Sequence, residues 1–115
     1  MSRNKIQLIV EFNDGSIIQF DRDKGIVKKN EIFVGAIKKL GVDNIIRKYN
    51  PKRYGEDLIS KGKHSRHQGA SKELGAGYYL QTHGDTSFIK HTIEKIGIEL
   101  KISIKVNIIR LETVE

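Results

Sequence analysis

Hydrophobic and polar positions alternate near the start of the chain: Ile6, Leu8, Val10 and Phe12 stand between Lys5, Gln7 and Glu11, with Ile9 the one exception. A period of two predicts a β-strand with one buried face. Asn13-Asp14-Gly15 follows, and an Asp-Gly pair tolerates the positive φ angles that a tight hairpin demands. Residues 16–21, with Ile17, Ile18 and Phe20, then return as a second strand. After a polar connection around Gly25 the period changes. Ile32, Phe33, Ala36, Ile37 and Leu40 recur at helical spacing, with Asn30 placed to cap that helix and Gly41 to end it. Asp43 is placed to cap a short second helix through Ile45 and Ile46. Pro51 closes this half, because the residue before a proline resists helical angles.

The second regular half begins with a short strand over residues 77–81, carrying Tyr78 and Tyr79. Asp85 or Thr86 caps the clearest helix, in which Ile89, Ile93, Ile96 and Leu100 form one stripe and Lys90, Glu94, Lys95 and Glu99 lie outside it. Ile102, Ile104, Val106 and Ile108 then alternate with Ser103, Lys105 and Asn107, predicting a last half-buried strand. The order along the chain is ββααβαβ. Four strands with helices over one face predict an α+β two-layer sandwich built on a small, mostly antiparallel sheet. A length of 115 residues suits a single domain, 1–115, with one modest core.

Composition narrows the chemistry. The chain has no Cys, which excludes disulfides and thiolate nucleophiles. The opening MSRNKIQLIVEF lacks the apolar stretch of a signal peptide, and no run approaches the roughly 18 apolar residues of a membrane span. A soluble, cytoplasmic protein without membrane contact is expected.

Charge changes the picture most. Residues 47–72 hold eight basic side chains, Arg47, Lys48, Lys52, Arg53, Lys61, Lys63, Arg66 and Lys72, against two acids, Glu56 and Asp57. This stretch therefore carries +6 of the chain's +7. Apolar residues are sparse there, while Tyr49, Tyr54, His64, His67 and Gln68 are interleaved with the charge. A basic loop over 47–75 with planar and amide side chains is what a phosphate backbone attracts. One helical turn at Glu56–Ser60 is the only regular structure expected inside it.

Directly after this loop, Tyr78 to Thr86 leaves a strand, turns at Gly84 and enters a helix. Unpaired amides and the helix dipole make such a start an anion site, to which the Thr82, Thr86 and Ser87 hydroxyls and Lys90 would contribute, while Thr82, His83, Asp85 and Thr86 lie where side chains could meet base edges. The stretch resembles the C-terminal DNA-binding domain of the SeqA family of bacterial replication modulators. The shared features are Glu56, Leu58, Ile59 and Gly62, then a basic loop, then Tyr78, Tyr79, Thr82 and Thr86, Lys90, and Ile93-Glu94-Lys95-Ile96. The resemblance covers about residues 56–97. It implies duplex DNA binding, with the Thr82–Thr86 turn near a groove and the basic loop on phosphates. Two turn asparagines by which that family reads bases fall on His83 and Asp85, neither of which reproduces the amide's pairing with adenine.

The expected function is a DNA-binding module of bacterial or phage regulation or maintenance, with no catalysis of its own and no cofactor. The alternative is a protein-interaction or assembly module, a homodimer included, whose basic surface is incidental. A third reading is a metal-free ribonuclease with His83 or His91 as general base and Lys90 or an Arg against the phosphorane. His64 and His67 are spaced to bring two imidazoles together, but no third ligand stands in register, so no metal is expected. Glu99-Leu100-Lys101 has a nuclease-like Glu-x-Lys form without its partner Asp.

Overall fold

A computed structural model describes residues 2–18 and 29–114. The first half runs β1 (Ser2–Phe12), β2 (Ile17–Ile18), α1 (Lys29–Leu40) and α2 (Val42–Lys48). The basic stretch holds β3 (Lys52–Arg53), β4 (Glu56–Asp57), β5 (Ile59–Lys61) and a 3₁₀ turn at Gln68–Ala70. The chain ends with β6 (Ser71–Gly75), β7 (Tyr78–Gln81), α3 (Thr86–Leu100) and β8 (Ile104–Val114). The fold is α+β, with antiparallel pairing throughout the described strands.

β1 pairs with β8 from Ser2↔Val114 to Phe12↔Ile104, and β2 flanks β1 on its other edge. The hairpin turn forms as its sequence dictates: the Phe12 amide donates to Ser16 O (2.9 Å), the Gly15 amide to Phe12 O (3.0 Å), and Gly15 takes φ 88°. The part of the second strand expected at 19–21 lies outside the described residues. Leu8, Val10 and Phe12 are buried while Glu11 is exposed, so the alternation reads true. They share one core with Ile32, Phe33, Ala36, Ile37 and Leu40 of α1 and Ile89, Ile93, Ile96 and Leu100 of α3. Ile108 is a correction: it is 40 % exposed although its cross-strand neighbour Leu8 is fully buried.

Two helix starts differ from expectation. Asn30 is the second residue of α1 rather than its cap. Gly41 alone links α1 to α2, donating its amide to Ile37 O and serving as the N-cap, so Asp43 sits inside the first turn of α2. A one-residue link with φ 100° suits Gly and leaves no place for a side-chain cap.

The larger correction is the basic stretch. No helical turn occurs at 56–60; the segment folds as strands instead. β3 and β4 form a hairpin, and β5, β7 and β6 form a three-stranded sheet in that order. β7 therefore joins its neighbours in the basic stretch and not β1 or β8. Few apolar residues suffice, because Leu58, Ile59, Leu74 and Leu80 are all buried against the common core. His64 supports them from inside. It is 1 % exposed, and its Nε2 donates to Asp57 O (2.8 Å) while Nδ1 meets the Ser71 hydroxyl (2.8 Å).

Candidate nucleic-acid interface

Three rings from distant parts of the chain meet on the surface. Tyr54 and Gly55 make the two-residue turn between β3 and β4, with φ 57° and 80°, the pattern of a type I′ turn. That turn favours Asn, Asp or Gly at its first position, yet here it presents a tyrosine. His67 precedes the 3₁₀ turn and is also left-handed, at φ 51°. His83 follows β7 and precedes α3. The His67 and His83 rings stack at 3.6 Å with 4° between planes, and Tyr54 leans on both, at 4.7 and 5.8 Å.

Buried polar side chains hold this arrangement. Gln81, 1 % exposed, donates through Nε2 to Arg66 O (2.8 Å) and accepts from the His83 amide at Oε1 (3.0 Å). It thus ties the segment carrying His67 to the one carrying His83. Thr82 reinforces the tie, since both its amide (2.9 Å) and its hydroxyl (2.7 Å) donate to Ala70 O. The Glu56 carboxylate accepts from the amides of Ser65 (3.0 Å) and Arg66 (3.4 Å), and the Ser65 amide above all holds its pKa below the ordinary glutamate value.

Two arginines frame the rings. Arg53 donates to His83 O through Nε (3.3 Å) and Nη2 (3.1 Å), and its guanidinium lies 3.8 Å from the Phe88 ring centroid and 4.4 Å from that of Tyr54. Arg66 is exposed, with its guanidinium 5.3 Å from the Tyr54 centroid. Partial desolvation, then the charges of His83, Arg66 and Arg53, lower the pKa of His67. Gly84 makes the turn possible at close quarters: a Cβ there would lie 2.3 Å from the Phe88 ring and 3.1 Å from Arg53 Nη2. Beside His83 opens a cleft of about 470 Å³, bordered by Lys29, Asn30, Ala70 and Asp85. Lys29 Nζ donates to Gly84 O (2.7 Å), and Asn30 Oδ1 is buried without a hydrogen-bond partner among the described residues.

The residues singled out from sequence divide into groups. Arg53, Arg66 and His83 come together. Thr82 is buried and committed to Ala70 O. Asp85 caps α3, with Oδ1 accepting from the Phe88 amide (2.8 Å), and Thr86 is the first helical residue, half-buried. Lys90 pairs with Glu94 (2.8 Å) rather than leaning toward the helix start. Lys52 pairs with Asp57 (2.6 Å), and Arg47 donates to Asn44 Oδ1 (2.9 Å) on α2. Lys48, Lys63 and Lys72 are exposed. Lys61 lies beside Tyr78 at the far end of β7 from the turn, about 10 Å away along the strand. Of Lys61, Lys63 and Arg66, the described contacts bring only Arg66 to the ring cluster. The expected pairing of His64 with His67 also fails, because His64 is drawn inside and His67 finds His83.

Tyr54, His67, Gln81, Gly84 and Phe88 were not among the expected site residues. A Tyr-Gly turn lacks the Asn-Gly signature, and a buried Gln in a strand gives no local signal. Among the described residues no three of His, Asp or Glu are grouped as metal ligands. No helix among them is long and apolar enough to cross a membrane. No protein-family model, curated protein or solved structure matches the chain at a significant level.

Proposed function

We propose that this protein binds nucleic acid through the Tyr54–His67–His83 cluster and the guanidinium groups of Arg53 and Arg66. The observation that carries this is the presence of stacked, exposed imidazole rings beside the guanidinium groups of two arginines. Planar rings accept the face of a base or sugar, and arginine matches phosphate through paired donors. Lys48, Lys61, Lys63 and Lys72 extend the positive field without internal ion pairs among the described residues. Duplex DNA, which the resemblance implies, and single strands, which suit exposed rings, share this phosphate chemistry. A bacterial or phage role in DNA maintenance follows from the resemblance alone.

A docking face for another protein would draw on Ile98, 69 % exposed above a cleft with Ile102 and Ile104. Single exposed apolar residues are ordinary on soluble surfaces, so the ring cluster carries more weight.

The test is anisotropy of labelled duplex DNA and of single-stranded DNA and RNA across a range of salt. Each phosphate neutralised contributes about −0.9 to the slope of log K against log salt on a duplex and about −0.7 on a single strand. Arg66→Ala with Lys63→Ala should flatten the slope by about 1.4 to 1.8 with the circular dichroism unchanged. Absence of binding to all these polymers at low salt would refute the reading.

A further inference from the structure

We propose that the same cluster cleaves RNA without a metal ion, with His67 as general base and His83 as general acid. The proposal rests on the nucleic-acid reading above and adds chemistry to it. In RNA the 2′-hydroxyl stands next to the scissile phosphate, so strand cleavage needs one proton acceptor, one proton donor and stabilisation of the phosphorane. The cluster holds all of these within one set of contacting side chains.

Geometry comes first. Two exposed imidazoles stacked with centroids 3.6 Å apart and nearly parallel planes gather their ring nitrogens within one small patch. That separation is comparable with the distance between the entering and leaving oxygens of an in-line displacement. Contact between two imidazoles disfavours the doubly protonated pair, because like charges at this range repel. The singly protonated pair supplies one acceptor and one donor, and the lowered pKa of His67 assigns it the acceptor's part. Arg66 is exposed beside the rings, and Arg53 is oriented by its two bonds to His83 O, so both can face the equatorial oxygens. Of the non-glycine residues with positive φ, two, Tyr54 and His67, contribute their rings to this cluster. Strain of this kind collects where a fold sacrifices stability to place a group.

The step balances without a further reactant. A nitrogen of His67 takes the proton of the 2′-hydroxyl, and the 2′-oxygen bonds to phosphorus. The bond from phosphorus to the 5′-oxygen breaks, and that oxygen receives the proton of His83. The products are a 2′,3′-cyclic phosphate end and a 5′-hydroxyl end. His67 is left protonated and His83 unprotonated, and exchange with solvent restores both. DNA has no 2′-hydroxyl, so it would be held and left intact.

The experiment incubates the purified chain with end-labelled RNA of mixed sequence in EDTA, with binding measured in parallel by anisotropy. Expected is cleavage to 2′,3′-cyclic phosphate ends, blocked by a 2′-deoxy substitution at the cut position. His67→Gln and His83→Gln should each lower the cleavage rate of fully bound RNA, measured at saturating protein, by about 10² to 10⁴ with the circular dichroism unchanged, a loss far larger than any accompanying change in RNA affinity. No cleavage where RNA is bound overturns this inference and leaves the binding reading standing. Activity that survives in both variants, or that EDTA abolishes, overturns it as well. Failure of both binding and cleavage removes both.

Discussion

Tyr54 occupies a turn position at which a β-carbon is crowded, and the crowding costs about 1 kcal/mol relative to residues that tolerate it. Its ring contacts with His67 and Arg53 offset part of that cost. If the tyrosine is retained for binding, Tyr54→Asn should leave the thermal midpoint unchanged or higher while nucleic-acid affinity falls. A loss of stability with unchanged affinity would make the ring a packing element only. His64 and His67 show how little a residue's identity says. His64 is a buried strut whose Nε2 reaches Asp57 O and Leu58 O; Leu58 O also accepts from the Gln81 amide, so His64→Leu would orphan the Asp57 carbonyl, costing about 2 kcal/mol in chemical denaturation. His67 instead titrates on the surface, below the ordinary histidine value of about 6.5. Because its folded value is lowered, the unfolded chain takes up the proton first as pH falls through about 6.5, and the folded cluster loses stability on the acid side. Desolvation is the leading cause and the His83 charge the next, so His83→Ala should raise the His67 value in an NMR titration. An unmoved titration would mean that the stack is not formed in solution.

At the scale of elements, α3 is capped at both ends by different means. Asp85 accepts from the Phe88 amide at its start, and Lys101 closes its end in a left-handed conformation, φ 59°. Glycine is the usual residue at that closing position, so Lys101→Gly should stabilise the protein by about 0.5–1 kcal/mol in urea titrations. Gly97 stands one turn earlier, where a Cβ would meet Ile104 Cδ1 at 2.8 Å and Ile102 O at 3.1 Å. The turn from β7 into α3 depends in the same way on Gly84. Gly84→Ala should push Phe88 aside and unseat Arg53, lowering both stability and nucleic-acid affinity. Retention of both would show that the turn relaxes freely.

Across the whole molecule, charge is spread less evenly in function than in sequence. Arg47 and Lys90 have partners on their own helices and Lys52 has one on the paired strand, whereas Arg66 is exposed beside the rings. Arg47→Ala and Lys90→Ala should therefore alter affinity little, because exposed ion pairs and local bonds are worth little and already satisfy those cations. Arg66→Ala should weaken binding to every polymer. Equal losses from all three would indicate a diffuse field rather than a site.

Periodicity by itself determined the elements that carry the common core. Leu8, Val10 and Phe12, the stripe of α1 and the stripe Ile89, Ile93, Ile96 and Leu100 are all buried as their spacing requires. Burial of one face forces a period, and a period is written locally. The hairpin at Asp14-Gly15 and the Asp85 cap were legible for the same reason, since turns and caps are made by neighbouring residues. The basic stretch was not legible as a folded sheet, because its few apolar residues show no alternation and its strands are two to five residues long. Nor was the ring cluster. His67 and His83 are sixteen positions apart, and the bonds of Gln81 and Thr82 that unite them cross between segments. Only the tertiary structure decided which histidine is buried, which is stacked, and which of eight basic residues stand beside it, because those outcomes depend on long-range contacts with no periodic trace.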